Sequence, residues 1–164
     1  MSEKFDFAGW ATINDLDCAD GRVICKDAFK HCDGKQVPLV WNHDHTGPDA
    51  ILGHAVLKNE DRGVRAYCKF NNTENGITAK ELVNGRDVES LSICANGLKQ
   101  SYNNNRRYVT HGDIREVSLV IAGANPGAVI DTVMQHGVEL DDEARIFTGE
   151  PLTRAAGEIP ETVL

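Results

Sequence analysis

Two histidines flank an aspartate at the end of an apolar run, and side chains of these types could bind a metal ion or transfer a proton. The segment VPLVWNHDH places His43 and His45 two positions apart. Residues at this spacing share one face of a strand, so both imidazoles could bind a metal ion, with His54 as a third ligand. One imidazole could instead accept a proton, because histidine titrates near neutral pH. The third interpretation is a strand end that enters a polar loop, where both histidines are simply solvated.

Candidate nucleophiles lie in two further strand-like segments. Ser90 and Ser92 belong to VESLSICAN, and Ser118 belongs to REVSLV. A serine acts as a nucleophile only beside a base and beside backbone N–H groups that stabilise the oxyanion. Cys94 is a candidate thiol, but a cysteine near an apolar strand usually packs in the core. Spacing alone does not choose among these side chains.

Glu116 is a carboxylate inside an otherwise apolar strand. A carboxylate in such a place needs solvent, a counter-ion or hydrogen bonds. It could orient an imidazole and stabilise the protonated ring, as the third member of a catalytic triad does. The pattern by itself favours the simpler interpretation, in which Glu116 pairs with the neighbouring Arg115.

Composition narrows the class of protein. The chain has 164 residues, which is typical of one domain, and a net charge of −8, which disfavours a nucleic-acid partner. Five cysteines without a CxxC pair and without a secretory leader indicate reduced thiols in a cytosolic setting. No apolar run approaches the roughly 20 residues that a membrane span needs. We therefore expect no cofactor, no nucleic acid and no membrane as partners.

Strand patterns dominate the chain and are interrupted by two predicted helices. The first helix is TENGITAKELVNGRD, with Gly85 as its C-terminal glycine, and the second is NPGAVIDTVMQHG, with Asn125 as N-cap. This order predicts an α+β domain whose mainly antiparallel sheet curls into a barrel or sandwich, with a few helices. We expect residues 1–137 to form the domain and residues 138–164 to form an acidic, partly flexible segment.

Three segments of the chain, taken in order, match the motifs of one known family. They are VPLVWNHD followed by AILGHA, then ITAKELVNGRDVESLSICA, and finally REVSLVIAGANPGAVI. In these motifs the chain resembles the prohead (capsid-maturation) proteases of tailed bacteriophages, whose fold is related to that of the herpesvirus assemblin proteases. The resemblance extends from FAGWATINDLD to GAVI. It departs from the family at Cys94 and Ala95, where members often have glycine and an aromatic residue.

The resemblance implies a serine endopeptidase with a particular triad. Carried over by motif, the general base is His43, the nucleophile is Ser92 and the third member is Glu116. Ser92 is preferred to Ser90 because an isoleucine follows it, as in the family pattern. His43 is preferred to the second histidine because it directly follows the apolar run.

An arginine could assist the oxyanion in such an enzyme, and three arginines are candidates by position. These are Arg106, Arg107 and Arg115. The sequence offers no pattern that chooses among them.

The resemblance also implies partners and a place of action. Substrates would be the phage scaffold and major capsid protein, cut inside the assembling procapsid in the bacterial host cytoplasm. We further expect a homo-oligomer and self-cleavage after about Gly137. Two alternatives remain open: a metal-dependent hydrolase that uses His43, His45 and His54, and a non-catalytic capsid-assembly domain, suggested by the departure at Cys94 and Ala95.

Overall fold

Strands make up most of the computed structural model, which describes residues 4–135 and 138–139. A single α-helix in these residues, α1, spans Glu74–Asn84, and 3-10 turns span Lys30–Cys32 and Pro48–Ala50. The strands are β1 Phe7–Ile13, β2 Arg22–Ile24, β3 Gln36–Trp41, β4 Ile51–Asn59, β5 Gly63–Phe70, β6 Ser90–Asn103, β7 Arg106–Val120, β8 Ile130–Gln135 and β9 Val138–Glu139. No helix in the described ranges is long and apolar enough to cross a membrane.

The strands form a sheet in the order β2-β7-β3-β4-β5-β1-β8-β9, and β6 pairs with β7 beside this path. Pairing is mainly antiparallel, as predicted, but β7 runs parallel to both β2 and β3. The sheet curls into a half barrel, which agrees with the predicted α+β class. Apart from β9, the predicted acidic segment 138–164 lies outside the described residues.

The long hairpin of β6 and β7 sets the positions that matter for chemistry. Its tip is Asn104 and Asn105, both with positive φ, as a tight two-residue hairpin turn requires. Beyond the tip, the register places Ser92 opposite Ser118. On its other side β7 runs parallel to β3, with Trp41 opposite Leu119. Because of this pairing, β3 ends beside the segment of β7 that carries Glu116.

Helix α1 forms where the sequence predicts it, but Gly85 is the C-cap residue. The left-handed position predicted for this glycine belongs to the next residue, Arg86. Gly85 has φ −81°, whereas Arg86 takes the left-handed conformation with φ 65°. The N–H of Arg86 donates to the Val83 carbonyl, and the N–H of Asp87 donates to the Leu82 carbonyl. These two bonds form a Schellman motif, which fixes the left-handed residue at Arg86.

The second predicted helix is wrong, because residues 125–129 form the turn before β8 and residues 130–135 form β8 itself. Asn125 is not an N-cap: its buried amide donates to Thr12 Oγ1 and to the Ile13 carbonyl, at 2.9 and 2.8 Å. Its Oδ1 accepts the Gly127 N–H at 3.0 Å. The β-branched residues that follow suit a strand better than a helix, and β8 pairs with the edge of β1.

Buried apolar side chains form one core that spans the sheet. Strands β1, β3, β6, β7 and β8 all contribute to it, with the fully buried Phe7, Leu39, Leu91, Leu119 and Ile130. A close-packed core resists displacement of its strands, so it fixes the site described below.

Replacement of Asn125 tests the corrected turn. Asn125→Ala removes three hydrogen bonds at a residue that is 1% exposed. At about 0.5–1.5 kcal/mol each, we expect the free energy of unfolding to fall by about 2–3 kcal/mol in urea denaturation. Asn103→Ala, at the exposed end of β6, is the matched control and should change it by less than about 0.5 kcal/mol. Equal stability of the two variants would contradict the assignment.

Candidate active site

The chain turns sharply after β3, and this turn brings His43 over β7. Asn42 and His43 have φ 46° and 56°, a left-handed pair without glycine. Such residues cost about 1–2 kcal/mol each, so the surrounding contacts must hold them. The Asn42 N–H donates to the Leu119 carbonyl and the Asp44 N–H donates to the Trp41 carbonyl, both at 2.9 Å. The strained backbone of Asn42 and His43 is thus retained where it orients the His43 ring.

Glu116 is the centre of a buried polar group. Its carboxylate is approached by His43 Nδ1, 3.0 Å from Oε2 and 3.2 Å from Oε1, and by His45 Nε2, 2.8 Å from Oε2. The Ser118 hydroxyl donates to the same carboxylate at 3.0–3.1 Å. Glu116 is only 3% exposed, so these donors replace the water that a charged carboxylate would otherwise need. The contacts match the imidazole-orienting interpretation of Glu116.

Ser118, which the sequence offers either as a nucleophile or as a residue that fills one face of the sheet, contacts both His43 and Glu116. Its Oγ accepts the backbone N–H of His43 at 2.9 Å while its own proton is directed to Glu116. It lies 3.1 Å from Nδ1, the same ring nitrogen that faces the carboxylate. A hydroxyl with this arrangement bridges the His43 backbone and the Glu116 carboxylate and so holds both neighbours in place. The signal in the sequence was the spacing Glu-x-Ser, which puts both side chains on one face of a strand.

The free nitrogen of His43 is the reactive atom of the group. Since Nδ1 faces a carboxylate that can only accept, the neutral ring carries its proton on Nδ1, and Nε2 has a lone pair. Nε2 is buried and has no hydrogen-bond partner within residues 4–135. An unpaired buried acceptor costs about 1–3 kcal/mol, and its retention calls for an explanation such as catalysis. The arrangement can therefore accept a proton at Nε2 while the carboxylate steadies the resulting charge.

Ser92 lies on the same face of the sheet as this group. It stands opposite Ser118 across the β6–β7 pair, and Cys94 stands opposite Glu116. Side chains of directly opposed residues project to one face, with Cβ atoms about 4.5–5.5 Å apart. The strand pairing thus puts Ser92 on the face of the sheet that carries Glu116 and Ser118. Ser92 is fully buried there.

Ser90 has a structural part instead. Its Oγ accepts the Gly123 N–H at 3.1 Å and lies 3.5 Å from the Ala128 carbonyl, to which it donates. These contacts tie β6 to the connection that leads into β8. The structure therefore gives the two serines of VESLSICAN different surroundings.

The metal set considered from the sequence is not assembled. His54 lies within β4, opposite Pro38 of β3 and Lys69 of β5. The ligand atoms of His43, His45 and His54 do not meet within 4.8 Å of one another in the described chain, where a different set does. His43 and His45 converge on a carboxylate, not on a common empty position.

A cleft of about 360 Å³ opens beside the buried group and contains one of the three candidate arginines. It is lined by Pro38, Val40, Asp44, His45, Gly47, Ile51, Arg115 and Glu116. Arg106 pairs with Asp17 at 2.8 Å, and Arg107 donates to the Asp20 carbonyl at 2.7 Å, both near the hairpin tip. Of the three candidate arginines, Arg115 is the one that lines the cleft beside His45 and Glu116.

The tautomer of His43 can be measured directly. We expect ¹⁵N NMR to show neutral His43 with a protonated Nδ1 and an unprotonated Nε2, because Glu116 can only accept a hydrogen bond. The chain has six histidines, and His43→Gln identifies the His43 ring signals by their loss. A neutral His43 that carries its proton on Nε2 would contradict the arrangement.

Comparison with known protein families identifies the family of the chain. The family model for the caudovirus prohead serine proteases matches residues 8–142, from β1 to beyond β9. No curated protein matches the chain. The family match confirms the resemblance seen in the three motifs, and it makes the chain a serine peptidase of bacteriophage capsid maturation. The chain belongs to the caudovirus prohead serine protease family.

Proposed function

We propose that the protein is an endopeptidase that cuts scaffold and capsid proteins in the assembling head, with Ser92 as nucleophile, His43 as general base and Glu116 as third member. The observation that best supports this proposal is the hydrogen bonding of the His43 ring. Nδ1 of His43 is held by a buried carboxylate, and Nε2 is buried without a partner. A general base needs one ring nitrogen held by an acceptor and a second nitrogen with an available lone pair. Since Nε2 has no partner among the described residues, the proposal requires the Ser92 hydroxyl to approach it when substrate binds.

In the proposed reaction, Ser92 Oγ attacks the carbonyl carbon of the scissile peptide, and its proton passes to Nε2 of His43. The imidazolium then gives this proton to the leaving amine as the C–N bond breaks. Water attacks the acyl-enzyme in the second half, loses a proton to Nε2, and releases the carboxylic acid while Ser92 recovers its proton. Glu116 keeps the ring orientation and stabilises the imidazolium in both halves.

Glu116 can perform this task because other donors hold it in place. His45 approaches from the exposed side and Ser118 from the buried side. With both neighbours in place, the carboxylate keeps its orientation toward Nδ1 during turnover. Pre-organised groups of this kind do not have to reorient when charge develops on the ring.

Arg115 is our candidate for charge stabilisation in the cleft. It lines the same cleft as His45 and Glu116. A guanidinium there can stabilise the oxyanion together with backbone N–H groups. Arg115→Gln should lower kcat more than it raises KM, since the oxyanion exists only along the reaction path.

Burial of the site supports an enzyme that opens when a partner binds. The side chain of His43 is 8% exposed and Ser92 is fully buried, whereas His45 at the rim is about half exposed. A polypeptide substrate must therefore displace part of the loop that carries His45. Self-association, which we propose for this chain, would be one way to favour the open form.

The decisive variant is Ser92→Ala. Purified protein incubated with scaffold protein should give defined fragments, and Ser92→Ala should lower the rate by about 10⁴-fold or more. Ser101→Ala, on the exposed part of the same strand, is the matched control and should cut normally. Equal cutting by Ser92→Ala would exclude Ser92 as the nucleophile. Absence of cutting by the folded wild-type chain with every substrate would favour a non-catalytic assembly domain.

Ser118→Ala should give an intermediate result. Loss of its hydroxyl frees the backbone N–H of His43 and one side of Glu116, so the imidazole is less precisely placed. We expect a rate about 10–100-fold below wild type, because small displacements of reacting groups cost that much. Labelling by a fluorophosphonate should persist on Ser92 in this variant. Complete loss of labelling, or labelling of Ser118 in the wild type, would reverse the two roles.

Self-cleavage after about Gly137 is part of the same proposal. Mass spectrometry of the stored protein should then show a shorter form that increases with time, and Ser92→Ala should remain intact. A shorter form that also accumulates in Ser92→Ala would indicate a contaminating protease.

A further inference from the structure

A second cluster of chemically active side chains lies away from the triad, where the 3-10 turn Lys30–Cys32 meets β7. His31 Nε2 is 2.6 Å from Asp113 Oδ1 and 3.6 Å from Cys32 Sγ. The three ligand-type atoms all lie within 4.8 Å of one another. The thiol is buried beneath the other two groups, whose side chains are partly exposed.

The geometry of the cluster is not that of a second catalytic triad. In a triad the nucleophile and the carboxylate face different nitrogens of the imidazole, so that one nitrogen takes a proton while the other is held. Here the sulfur and the carboxylate both face Nε2. The ligand atoms of His31, Cys32 and Asp113 converge on one point, which is the arrangement of ligands around a metal ion.

The distances are close to those of a zinc site. With Zn–N near 2.0–2.1 Å and Zn–S near 2.3 Å, tetrahedral angles give a nitrogen–sulfur separation of about 3.6 Å. The observed separation is 3.6 Å. The nitrogen–oxygen separation would widen from 2.6 Å to about 3.4 Å, since an ion replaces the shared proton. Asp113 can move in this way because its side chain is 43% exposed.

The orientation of the His31 ring and the types of the three ligand groups both suit a zinc ion. The ring of His111 stacks on that of His31 with centroids 4.4 Å apart, which fixes the plane of the His31 imidazole. Imidazole, thiolate and carboxylate together suit Zn²⁺ better than Mg²⁺ or Ca²⁺, which prefer oxygen ligands.

We propose that His31, Cys32 and Asp113 bind one Zn²⁺ ion, with a water molecule in the fourth position. The ion would link the turn to β7, which already touch through the Gly112 N–H and the Ala28 carbonyl. Its place in the fold indicates a structural clamp on β7, the strand that also carries Glu116. The proposal does not depend on the peptidase assignment.

Metal titration of the chelator-treated chain tests the proposal. Zn²⁺ should bind with a stoichiometry of one and raise the thermal midpoint, because it binds only the folded form. Co²⁺ in its place should show tetrahedral absorption with a thiolate-to-metal band. Absence of binding, or a cobalt spectrum without the thiolate band, would overturn the proposal.

Variants separate the proposed ligands from other histidines and thiols. Cys32→Ala should abolish the thiolate band, and Asp113→Asn should weaken Zn²⁺ binding by more than about tenfold, since even outer-shell changes cost 10–100-fold. Cys25→Ser and His54→Gln are the matched controls and should bind as the wild type does. The side chain of Asp113 is partly exposed, so Asp113→Asn should fold even if Cys32→Ala, a change in the core, does not. Unchanged affinity in Asp113→Asn, or lost affinity in the controls, would refute the site.

Discussion

The structure of the candidate site depends on one buried negative charge. Glu116 can remain a carboxylate at 3% exposure only because three side chains supply donors. Two of these donors are histidines from the turn after β3, and the third is Ser118 of its own strand. The contacts are mutual, so Glu116 also holds the three donors in place. Through them it fixes the turn after β3, the plane of the His43 ring and the direction of His43 Nε2.

Strand β7 is the element that makes this group possible. It pairs with β6 on one side, which brings Ser92 opposite Ser118, and with β3 on the other, which brings His43 over Glu116. Its middle, at Asp113, contacts the 3-10 turn through His31. A zinc ion in that cluster and the proposed triad would therefore act on one rigid strand. Catalytic groups on strands are held more precisely than groups on loops.

The departure from the family motif lies at the centre of the same face. Cys94 stands opposite Glu116, where family members often carry glycine. A cysteine is small enough to be accommodated there, and Ala95 next to it is buried. The polar group forms around Glu116 despite this change, with donors from the turn after β3 and from β7.

The sequence determined the strand-rich class, helix α1 and the family, because strand alternation, the helix pattern and three short motifs are local properties. It misplaced Gly85 and Asn125, since a Schellman motif and a buried amide depend on bonds to other segments. The sequence also left His45 and Ser118 without a defined part. Only the parallel pairing of β3 with β7, a contact between residues more than seventy positions apart, decided that His45 reaches Glu116 and that Ser118 accepts the His43 N–H.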